Sequence, residues 1–582
     1  MNSTKRKIVD VTILVLIGIW LVGGIPWGGR LLLKHGADPR RAAIFLTLFV
    51  AWAFPQLRTE SWVLVWIRKV GQQLLLPRVR WTVLAGAATW AAVVGVLQTM
   101  ALRYPMWDVG IFHQVIWSLA HGHGFTSTIS GAGNFLRDHL SPSLVILVPF
   151  YWISGSSPIT LGWLSSLLIF GGVAAWIYLA ERLEGVAPEV RSRIAAATLV
   201  FGLSFDSLWA NQRWGFHENM VGFTALSWGF AFLLSEVSSR SWKKIAALSC
   251  FLIAAGSKET LLLSVAMVLV VWFIQEFSKK RDPFTPKKNF DSIFDGTLLG
   301  SAFCLVLIFV LFELMPHPAD KNYFKRYYGY LGTGLGQFLS TVIFSPGKVV
   351  HEIGASELAG YFKDVFLPWL GLPLFWIAWM MKPKKMGRVP HAGFYVLLLL
   401  TISTSFLSAA LSTYSPLRQT GFHYVLELWP ALAALTILAL GKIESSQLGS
   451  RLKISWIWAV FALTSLGQDP WGSMRVYGTD ALRERDARAG FRMIVPGAAV
   501  VADEMTGTWL AGRLAVTKWP DFSLLPGGCP EWIVNRKNLP ITQGEIAWQL
   551  SRCQAAQGLG SIWSPVWSTD TWVGYQLVRP HP

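Results

Sequence analysis

Charge is scarce in this chain: only 14% of its 582 residues are Asp, Glu, Lys or Arg, and the 33 acidic ones are outnumbered by 51 basic ones. So small a charged complement cannot clothe a soluble globule of this length. Cysteine is scarcer still, with four residues and no CxxC pair. HExxH, Walker-loop and GxSxG patterns are also missing, as is any internal repeat of useful length. Those absences remove the common zinc-protease, ATPase and α/β-hydrolase chemistries.

What is abundant is apolar. Hydrophobic residues make up 53% of the chain, with 31 Trp, and the mean hydropathy is positive. Runs long enough to cross a bilayer of about 30 Å, each needing about 20 helical residues, recur along it. They fall at 8–25, 42–57, 81–102, 158–181, 194–211, 219–236, 243–257, 260–277, 294–315, 361–381, 391–412, 424–441 and 454–467. The chain therefore reads as a polytopic α-helical membrane protein with about 13 transmembrane helices.

Basic residues set the orientation, because loops rich in Lys and Arg stay on the cytoplasmic side. The stretches 279–288, 382–388 and 441–453 are the most basic and alternate as inner loops, and "MNSTKRK" puts the N-terminus on that side. The first apolar run has the basic flank of a signal peptide, but no small-residue cleavage site follows, so it reads as an anchor. The formal charge of +18 is not a nucleic-acid signal. From residue 468 onward there are 11 Lys and Arg against 10 Asp and Glu, so topology and anionic lipid account for nearly all the excess.

Three parts follow: residues 1–80, a pair of membrane helices with a basic cytoplasmic segment; 81–467, the main membrane domain with a large outer loop at 103–157; and 468–582, more polar. In the last part "AAVVADE", "RLAVTKW", "EWIVNRK" and "WVGYQLV" alternate or are β-branched between Pro and Gly breaks, as in a small outer α/β domain. Cys529 and Cys553 lie there, where a disulfide is permitted, while Cys250 and Cys304 fall in spans as packing residues. The run 141–155 is too short for a crossing and reads as a helix at the outer interface.

The outer loop holds Asp108, His113, His121, His123, Asp138 and His139. Apolar residues at Ile111, Phe112, Val115, Ile116 and Leu119 share one helical face, as in a helix lying on the membrane, with Gly122 and Gly124 as terminators. Asp108 at its start serves equally as an N-terminal cap or a catalytic carboxylate. Asp138 and His139 before Ser141-Pro142 suit a turn. His217 and Glu218 can be a solvated loop; Lys258 and Glu259 sit between two spans, where an ion pair is costly without water, a partner or a ligand. Arg418 and His423 flank a helix end, suited to a phosphate or to snorkelling and capping.

Taken in order, "WDVGIFHQVIWSLAHGHGF", "NFLRDHLSPSLVILVPFYW", "WGFHEN" and "GSKET", followed by the late outer domain, resemble a bacterial family of membrane proteins, domain of unknown function twenty seventy-nine. That family in turn resembles the GT-C superfamily of membrane glycosyltransferases, which carry an acidic residue in the first large outer loop and take sugars from polyprenyl-phosphate carriers. The resemblance implies a GT-C-like membrane domain in the bacterial inner membrane. It also implies Asp108 as catalytic base, with Asp138 and His139 beside it. His113, Gln114, His217, Glu218, Lys258, Glu259, Arg418 and His423 would then contact substrate, the cations facing the leaving phosphate. Asp138 and Glu218 can orient the acceptor or hold a divalent cation; no metal is implied. The expected partners are membrane lipid, a polyprenyl-phosphate-linked sugar, and a glycan, lipid or protein acceptor. A transporter or flippase of lipid-linked substrates, or a non-catalytic envelope-assembly protein, would use the same cluster for binding alone.

Overall fold

The computed structural model describes residues 62–578 apart from 132, 236–240, 280–288, 315–326, 333–334, 374–391, 421–422, 446–453, 456, 459–469, 496, 519–524, 526–528, 537–550, 552–561 and 570–571. Among the described residues, five helical stretches are long and apolar enough to cross a membrane: Pro77–Met100, Ile159–Glu181, Glu259–Phe277, Phe294–Leu311 and His423–Glu444. Pro188–Ser204 and Asp206–Trp214, bent by 44° at their junction, make a sixth if they form one span. Helices Glu218–Leu234, Ser241–Ala255 and Ala392–Ala410 pack among them. The expected spans 8–25 and 42–57 lie outside the described residues, as do most of 454–467 and the end of 361–381.

Backbone contact and aromatic packing hold the bundle. A Cβ at Gly95 would stand 2.1 Å from the carbonyl oxygen of Gly162, so only glycine lets helices Pro77–Met100 and Ile159–Glu181 touch. Trp369 is fully buried among Phe201, Phe205, Trp429 and Trp458. Following the chain through its alternating helices puts Met100, Trp214, Glu218, Ala255, Glu259, Ala410 and His423 at one end of the bundle and Glu181, Leu234 and Ser241 at the other.

At the first end the loop between Met100 and Ile159 is folded. The apolar stripe of its helix Ile111–Ala120, expected to face the membrane, is covered by protein. Phe112, Val115 and Ile116 pack into a protein core with Phe135, Leu144, Tyr151 and Phe216, while His113 and Gln114 on another face bond to the C-terminal part of the chain. The stripe is covered by protein because the loop folds back over it. The short turn and helix over Pro142–Ile153 do expose Val145, Ile146, Phe150, Trp152 and Ile153, the surface an interfacial helix presents.

Beyond helices Pro470–Arg483 and Arg485–Phe491 comes a five-stranded sheet. Numbered after the short antiparallel pair β1 (Thr126–Ser127) and β2 (Gly133–Asn134), its strands are β3 (Val500–Ala502), β4 (Val516–Lys518), β5 (Trp532–Arg536), β6 (Ile562–Ser568) and β7 (Trp572–Val578), ordered β4-β3-β5-β7-β6. β3 runs parallel to β4 and β5, and β7 runs antiparallel to β5 and β6. Helix Glu504–Leu510 connects β3 to β4, capped by Asp503 on the N–H groups of Met505 and Thr506. Cys529 is disulfide-bonded and Cys553 lies outside the described residues. Cys250 and Cys304 are free; Cys304 is exposed on its apolar helix and does not fill the core as expected.

Candidate functional site

Asp108 belongs to a wide helical turn, Met106–Gly110, immediately before helix Ile111–Ala120. That helix starts at Gly110 with no side-chain cap, so Asp108 is not spent on capping. Its carboxylate, a third exposed, points to His217, with Oδ1 3.6 Å from Nε2. His217 is placed by Gly215, whose φ is +90° and whose Cβ, if present, would strike Val109 and Tyr104. The Nδ1–H of His217 donates to the Gly215 carbonyl at 3.2 Å, and because a carbonyl only accepts, the proton sits on Nδ1. Nε2 then faces Asp108 and has no hydrogen-bond partner. On the other side His423 stacks on His217 with ring centres 3.7 Å apart, and Tyr424 lies against His423 at 4.0 Å.

A set of buried charges adjoins this row. Lys258 Nζ is 3.5 Å from Glu218 and 4.9 Å from the centre of the Tyr424 ring. Burial alone would lower the Lys258 pKa, but the carboxylates of Glu218, Glu259 and Glu427 outweigh it and hold it raised. His139 Nδ1 lies 3.2 Å from Glu259, whose second oxygen accepts the N–H of Leu140 at 3.2 Å. Burial pushes His139 down, yet Glu259, with Glu218 and Asp138, raises it overall. Asp138 is buried at the end of the turn Phe135–Arg137. Glu218 Oε2 and Asn219 Oδ1 are buried without hydrogen-bond partners.

The structure thus brings Asp108, Asp138, His139, His217, Glu218, Lys258, Glu259 and His423 together. Arg418 stands a few residues before His423 and is bound to the Ser412 carbonyl and to Glu357. His113 and Gln114 lie elsewhere. His113 bridges the Thr508 carbonyl at 2.9 Å and the Tyr151 hydroxyl at 2.8 Å. Gln114 donates to Thr128 and the Arg513 carbonyl and accepts from Ser127, Thr128 and Ile129. Their polar atoms are engaged in the seam between the loop 101–158 and the C-terminal part of the chain. Burial lowers the His113 pKa to about 4 despite the Thr508 carbonyl, with Arg513 adding to the fall.

Glu427 was not anticipated. It accepts from Thr260 at 2.8 Å and Asn219 at 3.4 Å, and the signal for it was a lone carboxylate in the apolar run "YVLELWP". Among the described residues no group of three or more His, Cys, Asp or Glu side chains is arranged to hold a metal ion.

Residues 98–468 match the family described as "Predicted membrane protein (DUF2079)", and the chain belongs to that family. Two solved structures of ArnT from Cupriavidus metallidurans are similar to it. The one bound to undecaprenyl phosphate has a TM-score of 0.49 and 14% identity, the apo one 0.47 and 15%, and both cover 85% of this chain and 97% of theirs. No curated protein matches the chain.

Proposed function

We propose that this protein is a membrane glycosyltransferase of GT-C type that moves a sugar from a polyprenyl-phosphate carrier to an acceptor on the extracytoplasmic face. The observation that carries the reading is the Asp108–His217 pair: an accessible carboxylate facing a buried imidazole nitrogen that has no hydrogen-bond partner. An acceptor hydroxyl placed beside Asp108 loses its proton to the pair as its oxygen bonds to the anomeric carbon. The anomeric C–O bond breaks at the same time, and its electrons leave with the lipid phosphate. His217 Nε2, 3.6 Å from Oδ1, shares the proton that arrives there.

Lys258 and Arg418 are the cations nearby for the departing phosphate. His423 and Tyr424 hold the His217 ring in plane, and Asp138 and His139 sit where they orient the acceptor. The acceptor is a glycan, lipid or protein, and the bilayer houses the carrier's tail.

The test is transfer of radiolabelled sugar from a panel of polyprenyl-phosphate donors by the purified protein in lipid, wild type against Asp108→Asn. Turnover that vanishes in the variant supports the enzyme and its base. Donor binding without turnover in both proteins favours a transporter, flippase or scaffold, and no donor binding removes the lipid-phosphate reading.

A further inference from the structure

Two cations face the end of the bundle that carries the site, and they are held differently. Lys258 is paired with Glu218, whose side chain is only 3% exposed, so exchanging that carboxylate means opening a packed interior. Arg418 is itself 7% exposed, yet its partner Glu357 is 54% exposed, on the short helix Ala355–Phe366. The other anchor of Arg418 is the Ser412 carbonyl, which carries no net charge. A solvent-facing carboxylate on a guanidinium is readily exchanged, since exposed pairs contribute little and gain little from geometry.

The surroundings specify what replaces it. Arg418 precedes His423 by five residues, a reach of at most about 18 Å along the chain. Rings continue the link: Tyr327 stacks on Tyr414 at 5.0 Å, Tyr414 meets Tyr424 at 6.2 Å, and Tyr424 packs on His423. Glu357's own helix, Ala355–Phe366, and the two helices before it, Leu335–Phe344 and Pro346–Ile353, leave Ile343, Phe344, Val350 and Phe362 exposed, and exposed Leu367 follows them. An anion receptor bordered by exposed apolar side chains suits a ligand with a charged head and a long hydrocarbon tail.

We propose that Glu357 is a placeholder for the phosphate of a lipid: its carboxylate occupies Arg418 in the empty protein and is displaced when a polyprenyl phosphate binds. The proposal rests on the lipid-phosphate reading above and adds the residue that competes with the ligand. Because a phosphomonoester carries more negative charge than a carboxylate, the released carrier phosphate wins the guanidinium, and Glu357 returns when it leaves.

The experiment measures binding of undecaprenyl phosphate to the full-length protein in nanodiscs, with undecaprenol and inorganic phosphate as separate probes. Wild type, Glu357→Gln, Arg418→Ala and the double variant are compared, with thermal melting of each to certify folding. The expected result is a three- to fivefold tighter dissociation constant for Glu357→Gln, the scale of removing one exposed competing ion pair. Arg418→Ala should weaken binding at least tenfold, and the Glu357→Gln gain should disappear in the double variant. Undecaprenol should not respond to either substitution. A response to inorganic phosphate equal to that of the lipid would identify a free anion as the ligand and overturn the lipid assignment. Unchanged or weaker binding in folded Glu357→Gln, reproduced by Glu357→Ala, would overturn the placeholder. Failure of wild type to bind any polyprenyl phosphate would instead sink the underlying reading, so the two failures are distinguishable.

Discussion

Both ends of the helix bundle bury charge, and they do so to different effect. At the end away from the site, Arg80 donates to Glu181 at 2.6 Å and also to the Leu74 and Leu75 carbonyls and Ser192, while Glu444 receives Arg193 at 2.9 Å and the Ser455 N–H at 2.7 Å. Lys244 meets Glu276 at 2.6 Å. At the site end Arg418 and Glu357 are also in close contact, but Lys258–Glu218 and His217–Asp108 stand 3.5 Å and 3.6 Å apart, and polar atoms of His217, Glu218 and Asn219 are buried without partners. Short, multiply anchored pairs fasten helices. Longer pairs with spare acceptors cost stability and persist where a ligand or a proton completes them.

The comparison can be broken most sharply at Asp108. Asp108→Asn should lower sugar transfer by about 10²–10⁴-fold, the usual range for removing a general base, while thermal melting stays near wild type. A large loss of stability with no selective loss of turnover would make Asp108 a structural residue. The reverse pattern is expected at the other end. Arg193→Met strands a Glu444 carboxylate that is 0% exposed and should cost about 3–5 kcal/mol by denaturant or thermal unfolding in lipid, with turnover per folded molecule retained.

A third test concerns the seam holding the C-terminal part of the chain to the loop 101–158. His113 is buried and its pKa falls to about 4, so the folded protein keeps it neutral where an unfolded chain would protonate it. With a depressed folded pKa, its stability contribution is complete above the ordinary value near 6.5 and is lost as pH falls toward 4, by about 3 kcal/mol over that window. Hydrogen-exchange protection factors in β3 and in Ile111–Ala120, corrected for the intrinsic pH dependence of exchange, should therefore fall together between pH 7 and 5, and His113→Gln should flatten the response. His139 has the opposite sign: its pKa is raised, so its pairing with Glu259 is complete below about 6.5 and is lost as pH rises through the raised value. His139→Gln should remove an alkaline fall in turnover while leaving the acid limb intact. The smallest effect is expected at Arg103 and Asp480, whose guanidinium is 48% exposed: Arg103→Ala should change stability by under about 1 kcal/mol, and a larger shift would mean the lobe depends on that contact.

Composition sufficed for some of this. A chain with so little charge can satisfy its backbone in lipid only through helices, so the apolar runs 158–181 and 260–277 announce Ile159–Glu181 and Glu259–Lys279 almost residue for residue. The β-branched runs "AAVVADE", "RLAVTKW", "EWIVNRK" and "WVGYQLV" coincide with β3, β4, β5 and β7, and the ordered motifs of residues 98–468 place the chain in its family. Periodicity failed at Ile111–Ala120, because an apolar stripe records that a face is covered and not whether lipid or protein covers it.

Residue types alone also marked Asp108, His217, Lys258 and His423 as unusual for an apolar chain, since ionisable groups there must find water, a partner or a ligand. Which partner each one finds is a property of helix packing. Asp108 meets His217, His217 meets His423 and Arg418 meets Glu357 only because distant segments end at the same level of the bundle, and Gln114 is removed from the site by bonds to a sheet that begins far downstream. Local pattern specifies which side chains must be compensated; the close approach of helices in three dimensions settles what compensates them, because Coulomb and hydrogen-bond energies depend on distances of a few ångströms that sequence spacing does not encode.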